Sequence, residues 1–299
     1  MALTSAIPVQ VLALVTALAW AVGPIVTKRG LALGGTSVQA AVVVIVVDST
    51  LFWATLLGRD GTAVFATVAP ATIGLFLVAG FVGTALARLS VYEGIDRVGA
   101  SVNTAGVSTR PLFASVLALA WLGEPLTPTT AAGIATLVVG LVVLSLGRGG
   151  DVGGWRTRDL AFPLFAALLF AVGNVVRRFG LTTTEASVLG AVTLNETAAM
   201  VLLVGYALVV APRSFRSTSR RAYAHFATTG VLTALGLLAL FAALARVAGR
   251  VALVDPIAGT SPLITAGLTY VFLSDVERVT REVVVGAVLI VVGATLVAL

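Results

Sequence analysis

The chain has 299 residues and a net charge of +6, with 59% hydrophobic and only 11% charged residues. A soluble domain carries about 25% charge, so a water-soluble globular core is excluded. At roughly 20 residues per span, about ten membrane-crossing helices fit this length. There are no cysteines and a single histidine, His225. Disulfides, thiolate metal sites and cysteine nucleophiles are therefore ruled out, and no metal or cofactor is expected. The arginines sit mostly in short loops between apolar runs, which reads as membrane topology and not as nucleic-acid binding.

Met1 to Gln10 has no basic leader and flows directly into the first apolar run, so no cleavable signal peptide is expected. In chain order the long apolar stretches cover 7–27, 38–57, 71–91, 100–122, 130–147, 159–178, 187–210, 226–245, 250–273 and 281–298. None alternates as the strands of a membrane β-barrel do. A glycine-rich, charged segment, Arg148 to Gly154, separates the fifth stretch from the sixth. The expected fold is all-α and integral to the membrane, with ten transmembrane helices. Two units are expected, residues 1–150 and 151–299, each of five helices.

The two units repeat. Trp20-Ala21-Val22-Gly23-Pro24, followed by Lys28-Arg29-Gly30-Leu31, returns as Phe170-Ala171-Val172-Gly173-Asn174, followed by Arg177-Arg178-Phe179-Gly180-Leu181. Pro111-Leu112 leading to Leu122-Gly123-Glu124 is answered by Pro262-Leu263 leading to Leu273-Ser274-Asp275, and Gly133 and Gly140 by Gly286 and Gly293. Five crossings per unit put the second copy upside down, giving two inverted repeats with a shared site near the membrane midplane. The glycines read as close-packing helix faces.

Charges inside the apolar stretches mark the candidate chemistry, because each unpaired one costs about 2.5–3.5 kcal/mol on insertion scales. They are Asp48 in the second stretch, Arg110 in the fourth, Glu196 in the seventh and Asp255 in the ninth. Asn103, Gly106 and Arg110 share a helical face, and Pro111 interrupts the backbone bonding beside the arginine. That guanidinium suits a carboxylate or phosphate, or else a structural pairing with Asp48, Glu196 or Asp255. Asp255, before Pro256, is the candidate for proton coupling and equally a neutralising partner of Arg110. Asp48 reads as a structural hydrogen-bonding group, with Asn195 near its repeat counterpart. Trp20, Pro24 and Thr27 share one face, and Phe170, Asn174 and Arg177 its counterpart. These faces form either an aromatic-walled ligand site or ordinary helix packing. Arg88, Tyr92 and Glu93 near the end of the third stretch are gate candidates or interfacial anchors. The run Arg213, Arg216, Arg220 and Arg221 reads as a topological or lipid-facing cluster. No phosphate-binding glycine loop and no hydrolase serine elbow occurs.

In these features the chain resembles the drug/metabolite transporter superfamily, specifically its ten-helix members with two EamA-type repeats. The resemblance implies secondary transport of small metabolites, not an enzyme, through a cavity lined mainly by the first, third, fourth, sixth, eighth and ninth helices. Ser274-Asp275 departs from Gly123-Glu124 of the first copy. The resemblance implies cytoplasmic termini. The loops on the side of the termini, however, carry five basic residues and the opposite loops twelve, which favours termini outside.

The reading is therefore a multi-pass protein of the lipid bilayer, expected in a prokaryotic plasma membrane, that carries a small amino-acid-like or carboxylate-like solute. It works by alternating access, driven by proton coupling or exchange. The substrate-binding candidates are Trp20, Asn103, Arg110, Phe170, Asn174 and Asp255. An intramembrane enzyme acting on lipid head groups and a non-transporting scaffold are the alternatives.

Overall fold

The computed structural model describes residues 7–66, 68–113, 127–146, 149–151, 153–210, 215, 218–246, 254 and 257–298. Helix α1 (Val9–Ala32) follows the extended Pro8 and carries Pro24 in its interior. Helix α2 (Ser37–Arg59) opens on a reciprocal cap: the Thr36 hydroxyl accepts from the Gln39 amide, and the Gln39 side chain accepts from the Thr36 amide. Helix α3 (Pro70–Val98) begins with proline in its first turn, where the missing N–H is not needed. It contains one π-helical turn at Phe81–Leu86. Helix α4 (Ala100–Val107) gives way to a turn at Ser108–Thr109 before the chain is helical again at 110–113. The break fits Pro111, which has no N–H to continue the helical ladder.

Next come α5 (Pro128–Leu146), the two-residue strand β1 (Gly150–Asp151), α6 (Ala161–Thr183) and α7 (Val188–Val210). Helix α8 (Arg220–Leu244), capped by the Ser219 hydroxyl, precedes α9 (Ser261–Phe272), β2 (Glu277–Arg278) and α10 (Arg281–Ala298). Strands β1 and β2 pair antiparallel, Gly150 opposite Arg278 and Asp151 opposite Glu277. Among the described residues, six helical stretches are long and apolar enough to cross a membrane: Val9–Ala32, Ser37–Arg59, Pro70–Val98, Thr157–Thr183, Val188–Val210 and Arg220–Leu244. Pro128–Leu144 and Ser261–Phe272 are shorter apolar helices. Their outward faces carry exposed aliphatic side chains such as Leu57, Val78, Leu208 and Val209, a surface suited to lipid. The protein is an integral multi-pass membrane protein.

Several helices outrun their apolar stretches, α6 by five residues to Thr183 among them. Helix α1 runs on through Lys28 and Arg29, and Lys28, which sequence placed in a loop, is buried. Its ammonium donates to the carbonyls of Ile95 and Asp96 and to the Asp151 carboxylate. Helix α3 continues to Val98, held in its last turns by the Glu93–Arg97 pair and by Lys28. Helix α8 starts at Arg220, so Arg220 and Arg221 lie in its first turn and not in a loop. Arg213 and Arg216 lie outside the described residues.

Helix direction follows from the contacts at the ends. The segment entering α6 lies beside the end of α3, where Arg97 approaches Asp159 at 3.7 Å and covers the Phe162 ring at 4.8 Å. Helix α1 ends at that same level through Lys28. The two helices therefore run in opposite directions, and they meet near mid-length, where Trp20 stacks on Phe170 at 6.4 Å.

Packing relies on missing side chains. A β-carbon on Gly30 of α1 would sit 2.5 Å from the Phe226 ring of α8, and one on Gly180 of α6 would sit 2.7 Å from the Phe76 ring of α3. Helices α5 and α10 interlock similarly, Gly133 beside Gly293 and Gly140 beside Gly286.

Candidate functional site

A cavity of about 120 Å³ opens between α1, α3, α4, α6, α8 and α9. These are the six helices that the resemblance implies. Trp20, Pro24 and Thr27 of α1 form one wall, with Thr84, Arg88 and Tyr92 of α3 opposite. Asn103, Ser108 and Arg110 reach it from α4 and the turn that follows, Phe170 and Arg177 from α6, and Thr229 and Thr233 from α8. The π-helical turn of α3 helps shape this wall, because it brings Gly83 backbone to backbone with Gly173 of α6 and turns Thr84 inward.

Arg110 is 2% exposed, and its guanidinium lies 4.7 Å from the Trp20 ring centre and 6.0 Å from that of Phe170. Two aromatic faces stacked beside a cation give electrostatic attraction strengthened by exclusion of water. Asn103 is buried and reaches the same cavity, with Gly94 leaving room for its Oδ1. Gly106, which spacing placed beside Arg110, instead makes room for Pro163 of α6. Asn174 stands behind the wall and accepts from Arg177 at 2.9 Å. Asp255 and its neighbour Pro256 lie outside the described residues.

A buried polar network that sequence reasoning did not assemble joins α2, α3, α6 and α7. Arg88 donates to Asp48 Oδ2 at 2.8 Å and to Glu196 Oε2 at 3.0 Å, joining α3 to α2 and α7. Glu196 Oε1 accepts from Asn195 at 2.7 Å and from the Thr84 hydroxyl at 3.3 Å. Arg177 donates to Thr84 at 2.7 Å, to the Gly83 carbonyl at 2.9 Å and to Asn195 at 3.1 Å. Two arginines thus balance two carboxylates, which is how four buried charges become tolerable in a low-dielectric interior. A weak signal for it existed: Thr84, Arg88 and Tyr92 recur every four residues on one face of α3. Which helices that face would meet was not readable.

The three gate candidates separate. Arg88 and Tyr92 line the cavity. Glu93 turns away, accepting from Ser37 at 2.6 Å and Arg97 at 2.7 Å.

Both ends of the bundle are stitched by cations on backbone carbonyls. At one end Lys28 bonds Ile95 and Asp96. At the other Arg178 bonds the carbonyls of Leu244 and Arg246. Beside Lys28, Arg29 pairs with Asp275, and that hydrogen bond holds the Asp275 carboxyl below its ordinary range. Glu277 accepts from the Ala100 and Ser101 amides and the Ser101 hydroxyl, capping α4. Burial nevertheless pushes its carboxyl up, against those hydrogen bonds. Gly99 is essential to that cap: its φ is +88°, and a β-carbon there would meet the Glu277 carboxylate at 2.7 Å. Among the described residues no group of His, Asp and Glu is placed to hold a metal ion.

Residues 8–146 match the model of the EamA-like transporter family. A solved structure, titled only as the crystal structure of a protein, superposes with a TM-score of 0.68 at 14% identity, covering 96% of this chain and 95% of that one. At that identity the likeness shows a shared fold alone. The comparison with curated proteins finds no match. The family's members are transporters of small molecules and not enzymes. Residues 8–146, a little under half of the chain, thus resemble the EamA-like transporter family, which lies within the drug/metabolite transporter superfamily.

Proposed function

We propose that the protein is a secondary active transporter of small anionic metabolites, amino acids or other carboxylates, working by alternating access. The observation that carries this reading is the seating of Arg110 against Trp20 and Phe170 inside the six-helix cavity. Three arginines, Arg88, Arg110 and Arg177, border that cavity, and no carboxylate does among the described residues. Asp48 and Glu196 behind the wall balance Arg88 and Arg177, and the Arg110 guanidinium is of the kind that holds a carboxylate by two parallel hydrogen bonds. Arg110 is the main contact, the Trp20 and Phe170 faces enclose the solute, and Asn103 supplies an amide.

The fold proposed is ten spans in two inverted five-helix repeats, residues 1–150 and 151–299. Two pairs of contacts support it, each related by about 150 positions. Gly30 meets Phe226 as Gly180 meets Phe76. Lys28 bonds Ile95 and Asp96 as Arg178 bonds Leu244 and Arg246, on helices of opposite direction. Such symmetry lets one half exchange conformation with the other, opening each side in turn around a midplane site. The membrane proposed is a prokaryotic plasma membrane.

The test is counterflow in proteoliposomes preloaded with unlabelled amino acids or organic acids. Saturable uptake of the labelled compound, abolished by Arg110→Gln, is the expected result. Absence of exchange for every compound, from protein shown to be folded, would overturn the transport reading.

A further inference from the structure

Asp48 differs from every other charged group in the buried network. It lies in the middle of α2 and is fully buried, and its Oδ2 accepts from Arg88, while its Oδ1 has no hydrogen-bond partner. Glu196 across the network is fully engaged: Oε2 by Arg88, and Oε1 by Asn195 and Thr84. A desolvated carboxylate oxygen without a donor is costly, and adding a proton to it removes the buried charge, the larger part of that cost.

The charge arrangement points the same way. The groups facing Asp48 are Arg88 and Tyr92 of α3 and Glu196 of α7, with Arg177 of α6 one hydrogen bond further out through Thr84 and Asn195. Helix α8, which packs on α2 at Gly230, carries no ionisable side chain from Phe226 to Leu244. One guanidinium therefore serves two carboxylates directly. Arg88 also lines the cavity, so a solute anion can compete with Asp48 for it.

We propose that Asp48 is the proton-carrying group of the transport cycle, and that Arg88 couples it to an anionic solute in the cavity. This rests on the transport reading above. When the solute's carboxylate engages Arg88, a proton that enters the cavity as hydronium breaks its O–H bond to water and passes inward to bond to Asp48 Oδ1. The negative charge that Asp48 carried is thereby exchanged for that of the solute. When the solute leaves on the other side, Arg88 returns to Asp48 and the Oδ1–H bond breaks, giving the proton to water there. Solute and proton thus move together, with the charge of the network unchanged.

Two measurements test this. The first uses the proton alone as probe, in infrared difference spectra of the purified protein on pH change. A protonated-carboxyl band that vanishes in Asp48→Asn and persists in Glu196→Gln is expected, and a band unchanged in Asp48→Asn overturns the assignment. The second uses the labelled acid that the wild type exchanges in counterflow. Asp48→Asn, which mimics the protonated group, should keep counterflow and lose accumulation driven by an imposed proton gradient. Retained gradient-driven accumulation, or loss of both activities in folded protein, overturns the proposal. Should Asp48→Asn not fold, the wild-type spectrum decides: isotope-labelled aspartate that leaves the band in place removes Asp48 from the role. A wild type that exchanges no acid would instead count against the transport reading, with the spectral test still standing.

Discussion

Replacing Arg88 by methionine keeps much of the side-chain volume but removes the only cation among the described residues that touches Asp48 and Glu196. Both carboxylates are fully buried, so neither can turn to solvent. Breaking a buried ion pair on one side costs about 3–5 kcal/mol. That corresponds to a fall of roughly two to four decades in the folding constant, at 1.36 kcal/mol per decade. The triple variant Arg88→Met, Asp48→Asn, Glu196→Gln removes the charges together, and replacing a whole buried ionic group is often nearly neutral. It should therefore recover most of the loss, although it carries two more substitutions. Reversible unfolding in mixed detergent micelles, followed by circular dichroism, measures both variants. A single variant costing less than about 1 kcal/mol, the range of a surface pair, would refute the reasoning. So would a triple variant no more stable than the single one, since the loss would then come from packing and not from uncompensated charge.

Leucine at Gly30 or at Gly180 would intrude on the Phe226 and Phe76 rings. Each substitution should destabilise by about 1–3 kcal/mol in the same unfolding assay, the two sites giving similar values. Trp20→Ala and Phe170→Ala should each weaken the apparent affinity for an exchanged acid by about 0.5–2 kcal/mol, the range of a cation over an aromatic face. The half-saturation concentration in counterflow reads this, and an unchanged value for both would remove the aromatic wall from the site. Glu277 has a carboxyl raised by burial, so its contribution to folding is fully present below its unfolded value and is lost as pH rises through the folded one. Glu277→Gln should thus gain stability relative to wild type as pH rises through the carboxylate range, measured by thermal unfolding of both proteins. A difference that moves the other way contradicts that environment for Glu277.

The apolar stretches were readable because a spanning helix needs a long apolar run, and most observed helices overlap theirs closely. The ends were less readable where tertiary contacts extend a helix through polar residues. Lys28 is the clearest case, since its charge is satisfied by carbonyls 67 and 68 positions away and by Asp151. The internal echo linked Trp20 to Phe170, and the structure stacks the two rings. The partner of Asp48 was beyond sequence reasoning, because helical periodicity ranks faces within a helix and says nothing of which helix each face meets. Arg88 shows this best: its spacing from Tyr92 suggested a gate at a helix end, yet its guanidinium reaches back between two carboxylates on other helices.

Alternating access around one midplane site is tested most directly by labelling a single cysteine there. The chain has no native cysteine, and Ser108 is a small cavity-lining residue two positions from Arg110, so Ser108→Cys is a mild change. A membrane-impermeant thiol reagent is applied to sealed vesicles of each orientation, with leakage of the same reagent measured in parallel. Reaction from both faces in vesicles that remain tight is the predicted result. Reaction from one face only, or reaction accompanied by leakage through the protein, would contradict it.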